Sequence, residues 1–457
     1  MRFYKFMIIV FNFFTMAYLF PAYADNVAST HFISIADIHF DPFIACYNVA
    51  AKPCPLIQQL RETPTNKWAA IFSENEKLPS QYRQDTNYPL LASALAASKK
   101  MVEKNNSKFV VVLGDFLGHD YREFYKKYSG DKSFSGYQLF VKKTLEFLTI
   151  QLNQTFPSID VYSVIGNNDG DRGDYFSDPN GKFYHEVADL WSQLIKNNVN
   201  RNKMQQSFKS AAYYSVELPG PSNLRLIVLN SVMFSNKAKG PNVNQAAEKE
   251  LNWLHSELQH AKAKQQKVLI AMHIPIGIDV YTTLRLRLFT LVEMWQKKYS
   301  QRFQAELQQF YPEIAGVFAG HLHSDWFQIL TFPNGEIPVS GTPSVSPIFG
   351  NNPGFKTFSY SNQKQQLEDY ATYYYSLATN HEWDLEYDFN QIYQIGCQNC
   401  SIIHGMTLLQ QTGLLANYYK CYYAVGTESQ PITTKWDPYY WCAIRQINTG
   451  KYQECIK

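Results

Sequence analysis

The 457-residue chain lacks a charge excess of either sign: 42 Lys and Arg balance 39 Asp and Glu, giving a formal net charge of +3 with only 18% charged residues. That excludes both the basic footprint of a nucleic-acid binder and the acidic composition of a disordered, solvating chain. No nucleic acid polymer is expected as a partner. There is no internal repeat and no low-complexity linker. Past the N-terminal segment, no apolar run approaches the roughly 20 residues that a membrane span needs, so no transmembrane segment is expected in the mature chain. Cysteine is sparse, with seven in all. No second Cys-x-x-Cys follows Cys397-Gln-Asn-Cys400, which makes a zinc ribbon there a weaker reading than a disulfide.

What is present is more informative. Arg2 and Lys5 precede the apolar run Phe6 to Phe20, and Ala22-Tyr23-Ala24 supplies a small-x-small cleavage pattern. Residues 1–24 therefore read as a signal peptide, and the expected protein is secreted, or periplasmic in a bacterium. In that compartment Cys46 and Cys54 are near enough in sequence to staple one loop. The other five, Cys397, Cys400, Cys421, Cys442 and Cys455, crowd the C-terminal end and mark a separately stapled region. The 32 Tyr and 31 Phe point first to a large aromatic core, and second to stacking surfaces.

Short β-rich apolar runs alternate with amphipathic stretches. Phe32 to Ala36, Phe109 to Leu113, Val161 to Ile165, Leu224 to Leu229, Val268 to Ala271 and Ile314 to Phe318 are predicted strands, followed by Trp326 to Phe332 and Ile337 to Ser340. Leu90 to Glu103, Tyr137 to Leu152, Ala246 to Ala263 and Leu284 to Phe303 have helical spacing, as do Tyr370 to Ala378 and Met406 to Tyr419. The pattern is that of an α/β layered fold. A boundary near residue 365 is expected to separate a catalytic domain, residues 25–365, from a C-terminal helical region, residues 366–457.

The predicted strands end in residues that bind metals. Phe32 to Ala36 runs into Asp37-Ile-His39, Phe109 to Leu113 into Gly114-Asp115, and Val161 to Ile165 into Gly166-Asn167-Asn168-Asp169. Val268 to Ala271 leads to Met272-His273, and Ile314 to Phe318 to Gly320-His321-Leu-His323. Each piece is weak alone. Together they deliver ligands from five strands to one sheet edge, where open α/β folds place their functional crevice. Imidazole with carboxylate and amide oxygen suits a hydrolytic transition-metal centre holding zinc, iron or manganese.

The order Asp-x-His, Gly-Asp, Gly-Asn-x-Asp, His, Gly-His-x-His over residues 31–345 resembles the calcineurin-like metallophosphoesterases. That resemblance implies a β-sandwich flanked by helices and two divalent transition-metal ions, most plausibly zinc. By the same likeness Asp37, His39 and His323 hold one ion, Asn167, His273 and His321 hold the other, and Asp115 bridges them. Two such ions activate water as hydroxide and neutralise phosphoryl charge. His119, four residues past Asp115, is similar to the corresponding histidine of the acid sphingomyelinase-like phosphodiesterases and is the expected general acid. Gly118 stands where purple acid phosphatases carry a ligand tyrosine. Thr342-Pro-Ser-Val-Ser-Pro347, Asn351-Asn-Pro-Gly-Phe355, Phe358-Ser-Tyr360 and Tyr373-Tyr374 resemble that branch's link to its C-terminal region, and Tyr440-Trp-Cys442-Ala-Ile444 with Cys455 resembles its terminal disulfide hook.

The resemblance thus implies a Cys442–Cys455 pair; in an oxidising compartment Cys421 is further expected to pair with Cys397 or Cys400, leaving one thiol free. One position departs from the pattern: Asn168 occupies a place where most members carry a histidine beside the phosphate. An amide can hydrogen-bond a phosphoryl oxygen but cannot protonate a leaving group, so either His119 acts as the sole general acid or the leaving group is acidic, as a phosphate or phosphoanhydride is. The expected activity is hydrolysis of a small-molecule phosphodiester or phosphoanhydride, nucleotide-type or phosphocholine-type, with a phospholipid head group also open. A phosphomonoesterase or polyphosphatase on the same metals, and a non-catalytic metal-binding protein, are the alternatives.

Overall fold

Each run of β-branched and aromatic residues forms a strand whose partners bury it on both faces. The computed structural model describes residues 29–393 apart from 51, 221–222 and 287–289, and 401–457 apart from 413–417, 419–420, 427, 430–431 and 434. The segment read as a signal peptide, together with Cys397 and Cys400 and so the partner expected for Cys421, lies outside the described residues. Strands β1 (Thr30–Ile35), β2 (Phe109–Val112), β3 (Asp160–Ser163), β4 (Tyr214–Glu217), β5 (Leu224–Val228) and β6 (Lys267–Ala271) come first. They are followed by β7 (Ile314–Ala319), β8 (Phe327–Phe332), β9 (Gly335–Gly341), β10 (Gly354–Ser361), β11 (Gln366–Tyr375) and β12 (Trp383–Asp388).

Two six-stranded sheets result, in the orders β12-β11-β10-β1-β2-β3 and β4-β5-β6-β7-β9-β8. In the first sheet β1-β2-β3 run parallel up to one edge, and β10, β11 and β12 continue it antiparallel from β1; in the second β5-β6-β7-β9 run parallel between the antiparallel edges β4 and β8. Parallel strands buried on both faces read as continuous apolar runs, as Phe109–Val112 does. The sheets meet through aromatic side chains. Phe32 stacks on Phe109 at 4.8 Å and on Phe358 at 5.0 Å, and Phe318 from the other sheet stands edge-on to Phe32 at 5.4 Å. Helices cover the outside. Tyr88–Asn105, capped by the Asn87 side chain on Leu90 N, packs against β1 and β10, while Val243–Ala263 packs against β5 and β6. This is the expected layered α/β sandwich.

Two expectations of helix need correction. Tyr370 to Ala378 is not helical, because Gln366–Tyr375 is β11, paired with β10 and β12. Its period-four apolar spacing is overridden by cross-strand partners that local sequence does not reveal. For the same reason a boundary at 365 falls inside the β10–β11 hairpin, and the sheet runs on to Asp388. The amphipathic stretch Leu284 to Phe303 is not one helix. A short helix, Val280–Arg285, precedes the long one, Lys297–Gln309, and bridges Ile278↔Glu293 and Ser235↔Trp295 hold the approach extended.

Disulfides join Cys46 to Cys54 and Cys442 to Cys455. The second ties the helices Asp437–Arg445 and Thr449–Cys455 together, and the first of these packs on β8. No helix among the described residues is long and apolar enough to cross a membrane.

Candidate metal centre

The carboxyl ends of β1, β2, β3, β6 and β7 open onto one crevice between the sheets. Five residues there lie in left-handed backbone: Asp37 (φ 50°), His39 (φ 44°), Asp115 (φ 54°), His321 (φ 71°) and His323 (φ 56°). Non-glycine residues seldom adopt this region, and such strain concentrates at functional sites. Backbone bonds clamp the loops to one another: Asp37 N donates to Gly114 O at 3.1 Å, His39 N to Asp115 O at 2.8 Å, and Gly320 N to His273 O at 3.1 Å. Gly166 is required because a Cβ there would lie 2.1 Å from Asp115 N.

The side chains gather in two overlapping sets. His39, His119 and His323 form one, Asp115, His273 and His321 another, and Asp37 joins His39 and Asp115. The same Asp115 oxygen, Oδ2, lies 3.4 Å from His39 Nε2 and 3.2 Å from His273 Nε2. His323 Nε2 lies 3.6 Å from Asp37 Oδ1. Asn167 Oδ1 faces His273 Nε2 at 3.0 Å, while its Nδ2 donates to Asp174 Oδ1 at 2.8 Å, which fixes the amide orientation. All seven positions expected as ligands thus converge.

The donor chemistry fits cations between these groups. Each histidine that donates from Nδ1 to a backbone carbonyl keeps Nε2 as a ligand atom. His39 Nδ1 meets Leu117 O at 3.0 Å and His273 Nδ1 meets Leu113 O at 2.7 Å. His39 Nε2 then confronts His323 Nε2 at 3.0 Å, and His273 Nε2 confronts an amide oxygen. Lone pairs so opposed repel unless a cation or proton lies between them. Burial pushes the Asp37 carboxyl up to about 8 and the His39 imidazole down to about 4. Such burial is costly for a carboxylate unless metal or paired charge offsets it. Burial also works against charge on His273, but the Asp115 carboxylate outweighs it and raises His273 to about 9.

His119 stacks on His39 at a centroid distance of 4.0 Å, and its side chain is 31% exposed, so it faces both the donor cluster and the outside. Asp85 grips it twice, accepting from His119 N at 2.7 Å and lying 3.0 Å from Nδ1 through Oδ1. Burial would lower the His119 pKa, yet Asp85 raises it to about 9. Asn168 turns toward the donor set: its N and Nδ2 donate to Asp115 Oδ1 and Oδ2 at 2.7 and 2.8 Å.

Several contributors were not foreseen. Asp85 sits in a polar stretch without a motif. Asp169 accepts from Phe116 N and Gly166 N at 2.7 and 2.8 Å, holding the loops after β2 and β3, and only its place in Gly-Asn-Asn-Asp hinted at a role. A cavity of about 700 Å³ adjoins His321 and His323 and is walled by Tyr281, Tyr422, Trp436 and Tyr440.

Metal-binding side chains at the carboxyl ends of a two-sheet α/β sandwich define a metal-assisted phosphoesterase architecture. The chain belongs to the calcineurin-like phosphoesterase family, whose model matches residues 30–325, and the model of the acid sphingomyelin phosphodiesterase C-terminal region matches residues 338–457. It is similar to acid sphingomyelinase-like phosphodiesterase 3b of Mus musculus, 25% identical over 445 residues that cover 93% of this chain and 89% of the relative. Cyclic GMP-AMP phosphodiesterase SMPDL3A of Rattus norvegicus is 24% identical over 464 residues, covering 96% and 94%. Sphingomyelinase phosphodiesterase D of Dictyostelium discoideum is 26% identical over 397 residues, covering 82% of each. A solved dimetal phosphatase from Danio rerio aligns with a TM-score of 0.42 at 14% identity, over 78% of this chain and 98% of that one. The protein is a phosphoric ester hydrolase of the acid sphingomyelinase-like phosphodiesterase group, a family that works with divalent metal ions.

Proposed function

We propose that the chain is an exported phosphodiesterase that cleaves small-molecule phosphodiester or phosphoanhydride bonds at a two-metal centre. The observation that carries this reading is Asp115 Oδ2, set between His39 Nε2 at 3.4 Å and His273 Nε2 at 3.2 Å. Asp37, His39 and His323 would hold one ion, Asn167, His273 and His321 the other, and Asp115 both. When bound, two divalent cations lower the pKa of water and neutralise phosphoryl oxygens; zinc suits imidazole-rich ligation best, with iron or manganese as alternatives.

The chain's own residues do the rest. Asn168 holds Asp115 through both carboxylate oxygens and keeps it oriented between the two sets. His119, charged through neutral pH by its contact with Asp85, stands where it can give a proton to the leaving oxygen. The aromatic walls of the cavity can stack a base or receive a quaternary ammonium, so they accommodate a nucleotide-type or a phosphocholine-type organic group. The disulfides Cys46–Cys54 and Cys442–Cys455 support an oxidising compartment. Residues 29–388, the two sheets, would form the catalytic unit, with the stapled helices beyond as its C-terminal region.

The test is turnover of bis(p-nitrophenyl) phosphate, p-nitrophenyl phosphate, nucleoside triphosphates, CDP-choline, sphingomyelin and polyphosphate by metal-loaded protein, with and without chelator. Chelator-sensitive cleavage of the diesters or of the nucleotides supports the reading. Release of phosphate from monoesters alone would contradict it.

A further inference from the structure

The cavity beside His321 carries a charge bias that the hydrolytic centre does not need. Among the described residues, Lys237, Arg83 and Arg285 line it, against a single carboxylate, Asp279. Asp279 is already engaged, capping its helix through Thr282 N at 2.9 Å. Of the cations, Lys237 is the one held against the donor cluster. Its Nζ lies 5.1 Å from the Tyr175 ring centroid and 3.5 Å from the Tyr175 hydroxyl, at the hydroxyl end of the ring. Tyr175 in turn stands edge-on to the His321 ring at 6.4 Å, and its N donates to Asn167 O at 2.8 Å.

The backbone under Lys237 is fixed although its side chain is exposed. Lys237 N donates to Ser235 Oγ at 3.1 Å, Lys239 N to Tyr175 O at 2.9 Å, and Ser177 N to Lys239 O at 2.9 Å. Asn236 Nδ2 ties the loop to Glu293 O and Trp295 O at 2.8 and 3.1 Å. The nearby carboxylate of Asp174 is taken up by Asn167 Nδ2 at 2.8 Å. An ammonium held against a tyrosine at the rim of a hydrolytic site, on a preorganised loop, is suited to meet an anion.

We propose that Lys237, held against Tyr175, is a specificity-determining residue that binds a second anionic phosphoryl group next to the scissile one, so that substrates with two linked phosphates are preferred. This rests on the phosphoester-hydrolase reading of the donor cluster. A substrate whose leaving group carries a quaternary ammonium gains nothing from Lys237 and is opposed by the three cations. A linked phosphate gains a charge-assisted contact and, being a good leaving group, asks less of proton donation, in keeping with Asn168 where a histidine is usual.

Calorimetric titration of the zinc-loaded protein with methylenediphosphonate, a non-hydrolysable two-phosphorus probe, and with inorganic phosphate tests this without turnover. The wild type is expected to bind the diphosphonate about tenfold to a hundredfold more tightly than phosphate. Lys237→Gln is expected to lose most of that ratio and Lys237→Arg to keep it. A ratio that survives Lys237→Gln, or a wild type without preference, overturns the proposal. If the wild type cleaves none of the diesters, nucleotides or polyphosphate while the ratio behaves as expected, the hydrolase reading falls and the anion subsite stands. Cleavage with no such ratio has the opposite meaning.

Discussion

At the scale of single residues, His119 and Asp85 make the sharpest case. Asp85 is itself fixed, accepting from Ser346 Oγ at 2.8 Å, so the histidine cannot swing freely. With its pKa raised to about 9, His119 keeps its proton below that pH and loses it above, so a general-acid step should fail on the alkaline side. General acid catalysis contributes about 10²- to 10⁴-fold. His119→Ala is expected to lower turnover by that order on alkoxide leaving groups and far less on nitrophenolate, in steady-state assays of the two substrate types. An equal loss on both would reduce His119 to a phosphate ligand. Asp85→Asn removes the group that raises the pKa, so the alkaline limb of the rate profile is expected to move to lower pH; a limb that stays in place would separate Asp85 from the proton transfer. His119 was singled out by the family resemblance, through its place four residues past Asp115. Asp85 was not, because its partnership is made 34 residues away in sequence by folding.

Among the elements, the parallel strands were legible because burial on both faces writes them as unbroken apolar runs, and the expected metal ligands follow directly at their ends. The antiparallel edge was harder to read. The β10–β12 strands mix Tyr, Thr, Asp and Ser, and the partners that make Gln366–Tyr375 a strand lie on other segments. Their junction also carries a pH signature. Burial, followed by the neighbouring Asp388, raises the Asp369 carboxyl to about 7. A carboxyl whose folded pKa exceeds its unfolded value stabilises fully below the unfolded pKa and loses that contribution as pH rises through the folded one. The β11–β12 edge is therefore expected to weaken between about pH 4 and pH 7. Replacing the like charge with Asp388→Asn, which can still cap the helix Phe389–Ile392, is expected to raise Tm at pH 8 by about 1–3 °C and to leave pH 4 unchanged. Equal shifts at both pH values in thermal melts would contradict the shared-charge origin.

For the molecule as a whole, the loop carrying His321 and His323 is joined to the other sheet and the C-terminal region by a buried ion pair. Lys356 Nζ on β10 lies 2.6 Å from Asp325 Oδ1, both side chains essentially inaccessible, and Asp325 Oδ2 accepts from Thr372 Oγ1 and Tyr387 Oη at 2.6 and 2.7 Å. Asp325 N also donates to Tyr422 O at 2.8 Å. Removing one partner of such a pair strands the other, at a cost of about 3–5 kcal/mol. Lys356→Met is expected to lose that much stability in urea unfolding, and Lys356→Met with Asp325→Leu to recover part of it; an additive double variant would deny the coupling. The most direct test of the two-metal centre is elemental analysis of the purified wild type and of Asp115→Asn, with circular dichroism to confirm folding. Two transition-metal ions per chain in the wild type, and one or none in folded Asp115→Asn, is the expected result. Trace metal in the wild type, or two ions retained by Asp115→Asn, would contradict a centre built on a shared Asp115.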